Sequence, residues 1–257
     1  MQAPSRGARS GASVAVEPGR PRVRAERALP ARGADGAYAR YGRPCLRAAL
    51  LVASAAPAVL LGLPIALVNA LYFRSLREVL FRQERVGLGG RVFWIHKFRT
   101  MRAGESGAFH SWSHGQDGLR VTRFGRFLRN THLDELPQLL NILRGEMDFI
   151  GPRPEMLEIH AWACQRIPGF AQRNAVLPGV TGLAQVTLGY AEKDEAQYRR
   201  KLFLDRSYIA QRCLRLDLAI LARTLAWMAL GRGWRQASRA PAPRCAQQRP
   251  PRVGELR

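Results

Sequence analysis

Lysine is almost missing from this 257-residue chain: Lys97, Lys193 and Lys201 are the only three among 41 basic residues, so a formal charge of +22 is carried by arginine. Acidic residues are few, 19 in all. A balance this basic calls for a partner that bears phosphate or presents an anionic surface. Cysteine is scarce and scattered: Cys45, Cys164, Cys213 and Cys245 form no C-x-x-C pair. His96, His110, His114, His132 and His160 make no ligand pattern, which argues against a zinc site or a disulfide framework and suits a reducing compartment. No apolar run occurs in the first 40 residues, so no signal peptide is expected. No internal repeat is visible, and at 47% hydrophobic the chain is too apolar to be disordered throughout.

What is present is unevenly placed. Residues 1–47 carry ten Arg against Glu17, Glu26 and Asp35, and residues 232–257 carry seven Arg against Glu255. Both stretches mix Arg with Ala, Gly and Pro without periodicity and read as basic, flexible tails. Between them, residues 48–73, AALLVASAAPAVLLGLPIALVNALYF, hold no charge, and Ser54 and Asn69 are the only strongly polar side chains. That run is long enough to span a bilayer as one helix. Two features favour a re-entrant path instead. Pro57 and Pro64 interrupt the helix ladder, and both flanks are basic, Arg40, Arg43 and Arg47 before and Arg74, Arg77, Arg82 and Arg85 after. If positive flanks stay cytoplasmic at both ends, the segment enters and leaves by the same face.

Beyond the apolar run, Val79–Val86 and Val92–Phe98 predict strands of a hairpin joined at Gly87-Leu88-Gly89-Gly90. Residues 103–118 read as a loop. A helix is expected to begin near Thr131, capped by its hydroxyl with Asp134 three residues on, and Pro137 is confined to its first turn. A turn follows at Gly151-Pro152-Arg153-Pro154. Further helices are expected over 154–166, 194–211 and 214–230, with extended segments at 173–176 and 183–186 around a Pro178-Gly179 turn. The last helix sets Leu214, Leu218, Leu221 and Leu225 on one side and suits a core or a lipid interface.

The chemistry-bearing residues cluster in THLDELPQ and around it. Asp134 and Glu135 are adjacent acids, which a helix N-terminus alone would accommodate through its dipole. Their setting of Lys97, Arg99, Arg126, Arg129 and Arg153 points further, to an anion held by cations with a nucleophile and a metal beside it. Pro152 and Pro154 restrict the backbone around Arg153, so its planar fork would lose little entropy on clamping a phosphate. Lys97 and Arg99, spaced by Phe98, would share one face of a strand.

These blocks are specific as a set. FRQERVGLGGRVFWIHKFRTM, VTRFGRFLRNTHLDELPQLLNILRGEMDFIGPRPE, LPGVTGLAQV and KLFLDRSYI, in order over roughly residues 48–230, resemble the bacterial sugar transferase family of monotopic polyprenyl-phosphate phosphoglycosyltransferases. The resemblance implies an α+β fold, a proline-kinked re-entrant membrane helix (48–73) with a small mixed α/β catalytic domain (74–231) and interfacial amphipathic helices on the cytoplasmic face of the inner membrane. It implies transfer of a sugar 1-phosphate from a nucleotide sugar, commonly a UDP-sugar, to undecaprenyl phosphate with release of the nucleoside monophosphate, as the opening step of a glycan pathway. Carried across, Asp134 is the nucleophile of a phosphosugar intermediate and Glu135 assists it, both facing Mg²⁺. Lys97, Arg129 and the Pro152-Arg153-Pro154 turn lie at the phosphate and nucleotide end, with Arg99 and Gln185 as further substrate contacts. The kinking proline is Pro57 or Pro64, with Pro64 favoured. Ser75-Leu76-Arg77-Glu78 stands where the family usually has Ser-Pro-Gly-Pro, and a single membrane segment matches the family's minimal form.

Two other readings compete. A charge of +22 suits a nucleic-acid binder, but the uncharged 26-residue run has no use there. A basic membrane adaptor without catalysis would explain the run and leave the paired acids and the Pro-Arg-Pro turn without a role.

Overall fold

The computed structural model describes residues 36–102, 120–189 and 194–229. The expected loop at 103–118, the C-terminal tail and the first 35 residues lie outside them. Helix α1 runs from Arg43 to Phe73 with Pro57 and Pro64 inside it, after a π-helical turn at Tyr38–Gly42. Residues 38–47, read from composition as tail, are therefore helical. The reason is tertiary: Arg43 is buried and ion-paired to Asp148, so the helix is anchored five residues before its apolar run begins.

Helix α1 is the one described helix long and apolar enough to cross a membrane. Its outward side chains have no protein partner, with Val52, Leu60 and Leu71 each at least 70% exposed. Both of its ends nevertheless touch the same domain. Near the start, Arg43 Nη2 donates to Asp148 Oδ2 at 3.0 Å and to the Ile150 carbonyl at 2.7 Å. Near the end, Asn69 Nδ2 donates to the carbonyls of Val79 at 3.4 Å and Arg99 at 2.9 Å. Ile65 packs with Phe98, Val79 and Leu128.

The hairpin forms as expected, β1 (Leu80–Val86) antiparallel to β2 (Val92–Phe98), with Phe81 opposite Lys97 and Val86 opposite Val92. Gly89 takes a left-handed φ of 62° in the connection. Helix α2 (Arg123–Thr131) is capped by Thr122, whose Oγ1 accepts from Gly125 N at 2.8 Å. Thr131, expected to start a helix, ends this one: its hydroxyl donates back to the Phe127 carbonyl at 2.9 Å. His132 then turns left-handed (φ 58°), and the acids sit on a 3-10 turn, Leu133–Gln138, that leads into α3 (Leu139–Leu143).

Strand β3 (Asp148–Ile150) pairs in parallel with β4 (Gly179–Thr181), which lies where a turn was expected. The pairing is possible because glycines line the approach; a Cβ on Gly179 would overlap the Gly151 amide and one on Gly182 the Gly151 carbonyl. Residues 183–186, expected to be extended, begin α5 (Leu183–Leu188), and 173–176 is mostly a 3-10 turn, Phe170–Ala175. Helix α4 (Leu157–Arg166) starts three residues late, because the Pro154 and Glu155 carbonyls are bonded to β1. Helices α6 (Glu195–Gln211), capped by Asp194, and α7 (Leu214–Ala229) follow the sequence closely. They close the main core with Ile150, Leu183, Leu204 and Ile220.

Candidate active site

The 3-10 turn packs on β2, and this juxtaposition brings Lys97 to the acids across 38 residues of sequence. Lys97 Nζ lies 2.6 Å from Glu135 Oε1. Arg153, from the turn after β3, meets the same oxygen through Nη2 at 2.6 Å and Glu135 Oε2 through Nη1 at 3.4 Å. Both Glu135 oxygens are thus committed to cations. Burial opposes the Glu135 charge, but the charges and hydrogen bonds of Arg153 and Lys97 outweigh it and hold the carboxyl well below the usual range. Burial in turn draws Lys97 below its ordinary value, against the attraction of Glu135.

Asp134 differs from its neighbour. It is equally buried, yet its carboxylate has no hydrogen bond to any described residue. Burial lifts its pKa above that of an ordinary aspartate, and the Glu135 charge adds to the lift. Lys97, His132 and Arg129 are close enough to oppose it. Arg129 itself is fixed by Thr100 Oγ1 at 2.9 Å and Met101 Sδ at 2.8 Å.

Gln185, on α5, joins this group: its Nε2 donates to the Val180 carbonyl at 2.8 Å, the same oxygen that Arg153 Nη1 approaches at 3.4 Å. Arg99 is directed elsewhere. Residue 99 lies just past β2, and its guanidinium pairs with Glu78 at 3.2 Å over the Phe73 ring, at the C-terminal end of α1. The structure therefore does not bring Arg99 together with Lys97 and the acid pair. Pro57 lies midway along the exposed stretch of α1, and Pro64 where that helix returns to Phe98 and Leu128.

Sequence reasoning passed over the residues behind the Pro-Arg-Pro turn. Arg173, Glu155, Asp205 and Lys201 form a buried ionic group there. One signal was available on α6, where Lys201 and Asp205 fall at helical spacing with Tyr198, Leu202, Tyr208 and Ile209, charges set within a buried stripe.

Among the described residues no group of three His, Cys, Asp or Glu side chains is placed to hold a metal. The open Asp134 carboxylate fits an ion of the Mg²⁺ type, which takes one or two carboxylates and draws its remaining ligands from substrate phosphates and water. Glu135 would have to release a cation to join it.

Fold and site together define an α+β protein with one helix long and apolar enough to cross a membrane and a centre that sets an adjacent acid pair among fixed cations. The chain belongs to the bacterial sugar transferase family, whose model matches residues 44–231. It is 44% identical over 180 residues to a UDP-glucose:undecaprenyl-phosphate glucose-1-phosphate transferase of Caulobacter vibrioides, covering 69% of this chain and 65% of that protein. It is 42% identical over 158 residues to a UDP-N-acetylgalactosamine-undecaprenyl-phosphate N-acetylgalactosaminephosphotransferase of Aeromonas hydrophila, covering 61% and 37%. A UDP-glucose:undecaprenyl-phosphate glucose-1-phosphate transferase of Xanthomonas campestris is 40% identical over 147 residues, covering 57% and 30%. The chain spans less than two thirds of the length of each of these relatives.

Proposed function

We propose that this protein transfers a sugar 1-phosphate from a UDP-sugar to undecaprenyl phosphate through a covalent intermediate on Asp134. The observation that carries the reading is the contrast within the acid pair: Glu135 is locked by Lys97 and Arg153, while the Asp134 carboxylate beside it is buried and unbonded. Relatives that act on UDP-glucose and on UDP-N-acetylgalactosamine support the reaction class and leave the sugar open.

In the first step an Asp134 oxygen attacks the sugar-bearing phosphorus. The new bond is an acyl phosphate, the bond broken is the diphosphate P–O bond, and UMP leaves with that oxygen. Arg153 and Lys97, fixed on Glu135, present positive charge to the diphosphate without reorganising. In the second step a phosphate oxygen of undecaprenyl phosphate attacks the same phosphorus, the bond to Asp134 breaks and the carboxylate is restored. Mg²⁺, which Asp134 would hold, would supply the charge neutralisation that lets an anionic carboxylate approach a diphosphate.

The membrane segment is read as re-entrant, with the domain and both ends of α1 on the cytoplasmic side of the inner membrane. Support comes from the bonds of Arg43 and Asn69 to one domain. The two residues are 26 apart, about 39 Å along a straight helix, more than the roughly 30 Å hydrocarbon core.

The deciding experiment uses the full chain in nanodiscs with UDP-glucose or UDP-N-acetylgalactosamine and no acceptor. The expected result is a burst of UMP equal to the enzyme present, a matching mass increase on the peptide holding Asp134, and loss of both in EDTA with recovery in Mg²⁺. UMP release only when undecaprenyl phosphate is added, with no adduct, would replace the covalent route by direct transfer.

A further inference from the structure

Arg153 acts only if its backbone is still, and the chain that carries it is held at each carbonyl from Pro152 to Glu155. The Pro152 oxygen accepts from Gly179 N at 3.0 Å, the Arg153 oxygen from Arg173 Nη2 at 2.8 Å, the Pro154 oxygen from Arg85 Nη1 at 3.1 Å and the Glu155 oxygen from Val86 N at 2.9 Å. Of these donors Arg173 is the one that bonds the residue whose side chain faces Glu135. We infer that Arg173 is a positioning residue for Arg153, fixing from behind the guanidinium that meets Glu135 in front.

Arg173 is suited to this by the way its nitrogens are divided. Nε donates to Asp205 Oδ2 at 2.8 Å, Nη1 lies 3.4 Å from Glu155 Oε1, and Nη2 takes the Arg153 carbonyl. Its side chain is 1% exposed and lies over the Phe170 ring, so it has no route to a ligand and acts through Arg153 alone. Lys201 pairs with the same Glu155 oxygen, so two cations and two carboxylates balance within the group. An apolar cluster of the same volume would hold the fold at least as well, since buried ion pairs seldom add net stability. It would offer the Arg153 carbonyl no donor. A lysine at 173 would keep the charge but could not reach in three planar directions at once.

The catalytic consequence rests on the transferase reading proposed above, and the test separates the two. Arg173→Lys, Arg153→Lys and the double variant are compared as full chains in nanodiscs by UMP release with undecaprenyl phosphate and whichever of UDP-glucose and UDP-N-acetylgalactosamine the wild type uses. If Arg173 works through Arg153, Arg173→Lys loses about tenfold in kcat/KM, Arg153→Lys about 100-fold, and the double variant no more than Arg153→Lys alone. Multiplication of the two losses, or no loss in Arg173→Lys, overturns the inference. Should Arg173→Lys fail to fold, Asp205→Asn, which keeps an oxygen at the Nε contact, runs the same cycle. A second arm needs no activity: phenylglyoxal modification of Arg153 without substrate, followed on chymotryptic peptides, should quicken several-fold in Arg173→Lys or Asp205→Asn while the exposed Arg166 keeps its rate. An unchanged Arg153 rate refutes the positioning role. Absence of UMP release from the wild type refutes the transferase reading instead and leaves the modification result standing.

Discussion

Of the buried ionic clusters among the described residues, the one at the N-terminal foot of helix α1 and the one at the acid pair differ in how completely they are closed. At the helix foot both Asp217 oxygens accept tyrosine hydroxyls, Tyr38 at 2.6 Å and Tyr208 at 2.9 Å. Asp148 accepts Arg43 through one oxygen and the Phe149 amide through the other. Every carboxylate oxygen there is used. At the acid pair Glu135 is closed in the same way, but no described residue bonds Asp134. A closed cluster fixes geometry. An open buried carboxylate costs stability unless something else completes it, and that cost makes Asp134 the candidate for contact with a substrate or ion.

The largest effect should come from the open group. Asp134→Asn is expected to lower UMP release by about 10³-fold or more while folding remains intact. Because burial raises the Asp134 pKa, its charge works against the folded state above that pKa, so the neutral amide should leave the melting temperature equal or higher. Glu135→Gln should do the opposite to stability, since it strands Lys97 and Arg153 without their counter-charge. Melting curves of the two variants beside their activities are the check; equal destabilisation by both would erase the distinction between open and closed acids.

A smaller change is expected at the helix foot. Arg43→Met leaves Asp148 and Asp217 buried without their cation, which should cost about 3–5 kcal/mol in urea unfolding. Adding Asp148→Asn should recover part of that loss. Unaltered stability in Arg43→Met would mean that Tyr38 and Tyr208 hold the helix foot unaided.

What was legible beforehand follows the same division. Hairpin, α6 and α7 are written in local patterns, a glycine-rich turn between β-branched runs and apolar stripes at helical spacing, so residues 80–98 and 195–229 read well. Lys97, Arg153 and the acids were also picked out, because opposite charges in turn-forming surroundings are a local signal. The segment from 131 to 138 was not legible, since His132 takes a left-handed turn with no glycine to announce it and thereby changes Thr131 from helix start to helix end. Nor was β4, whose pairing depends on Gly151, 28 residues away from its first residue. Arg173 looked like one arginine among many. Its role exists only because Asp205 comes to it from a helix 32 residues on.

The smallest effect expected is none, and it tests which side of the membrane the helix foot occupies. Arg43 and its partners bind the first turn of α1 to the domain that carries the acid pair, and Asn69 binds the last turns to that same domain. A helix crossing the bilayer once would put its two ends on opposite sides and so would have to tear one of these attachments, either the Arg43–Asp148 pair or the Asn69 bonds to Val79 and Arg99, leaving Asp148 or the freed carbonyls without those donors. A segment that dips and returns keeps both. Pro57 and Pro64 lie between the two attachments, where missing backbone hydrogen bonds permit a bend. Single cysteines at Ala37 and Ala161, both exposed, in a chain cleared of its native cysteines, should therefore give the same answer in intact cells. Neither should react with a membrane-impermeant maleimide before lysis, and both should react after it. Labelling at position 37 alone before lysis would place the helix foot outside, and the cluster around Arg43 would then be unable to form as described.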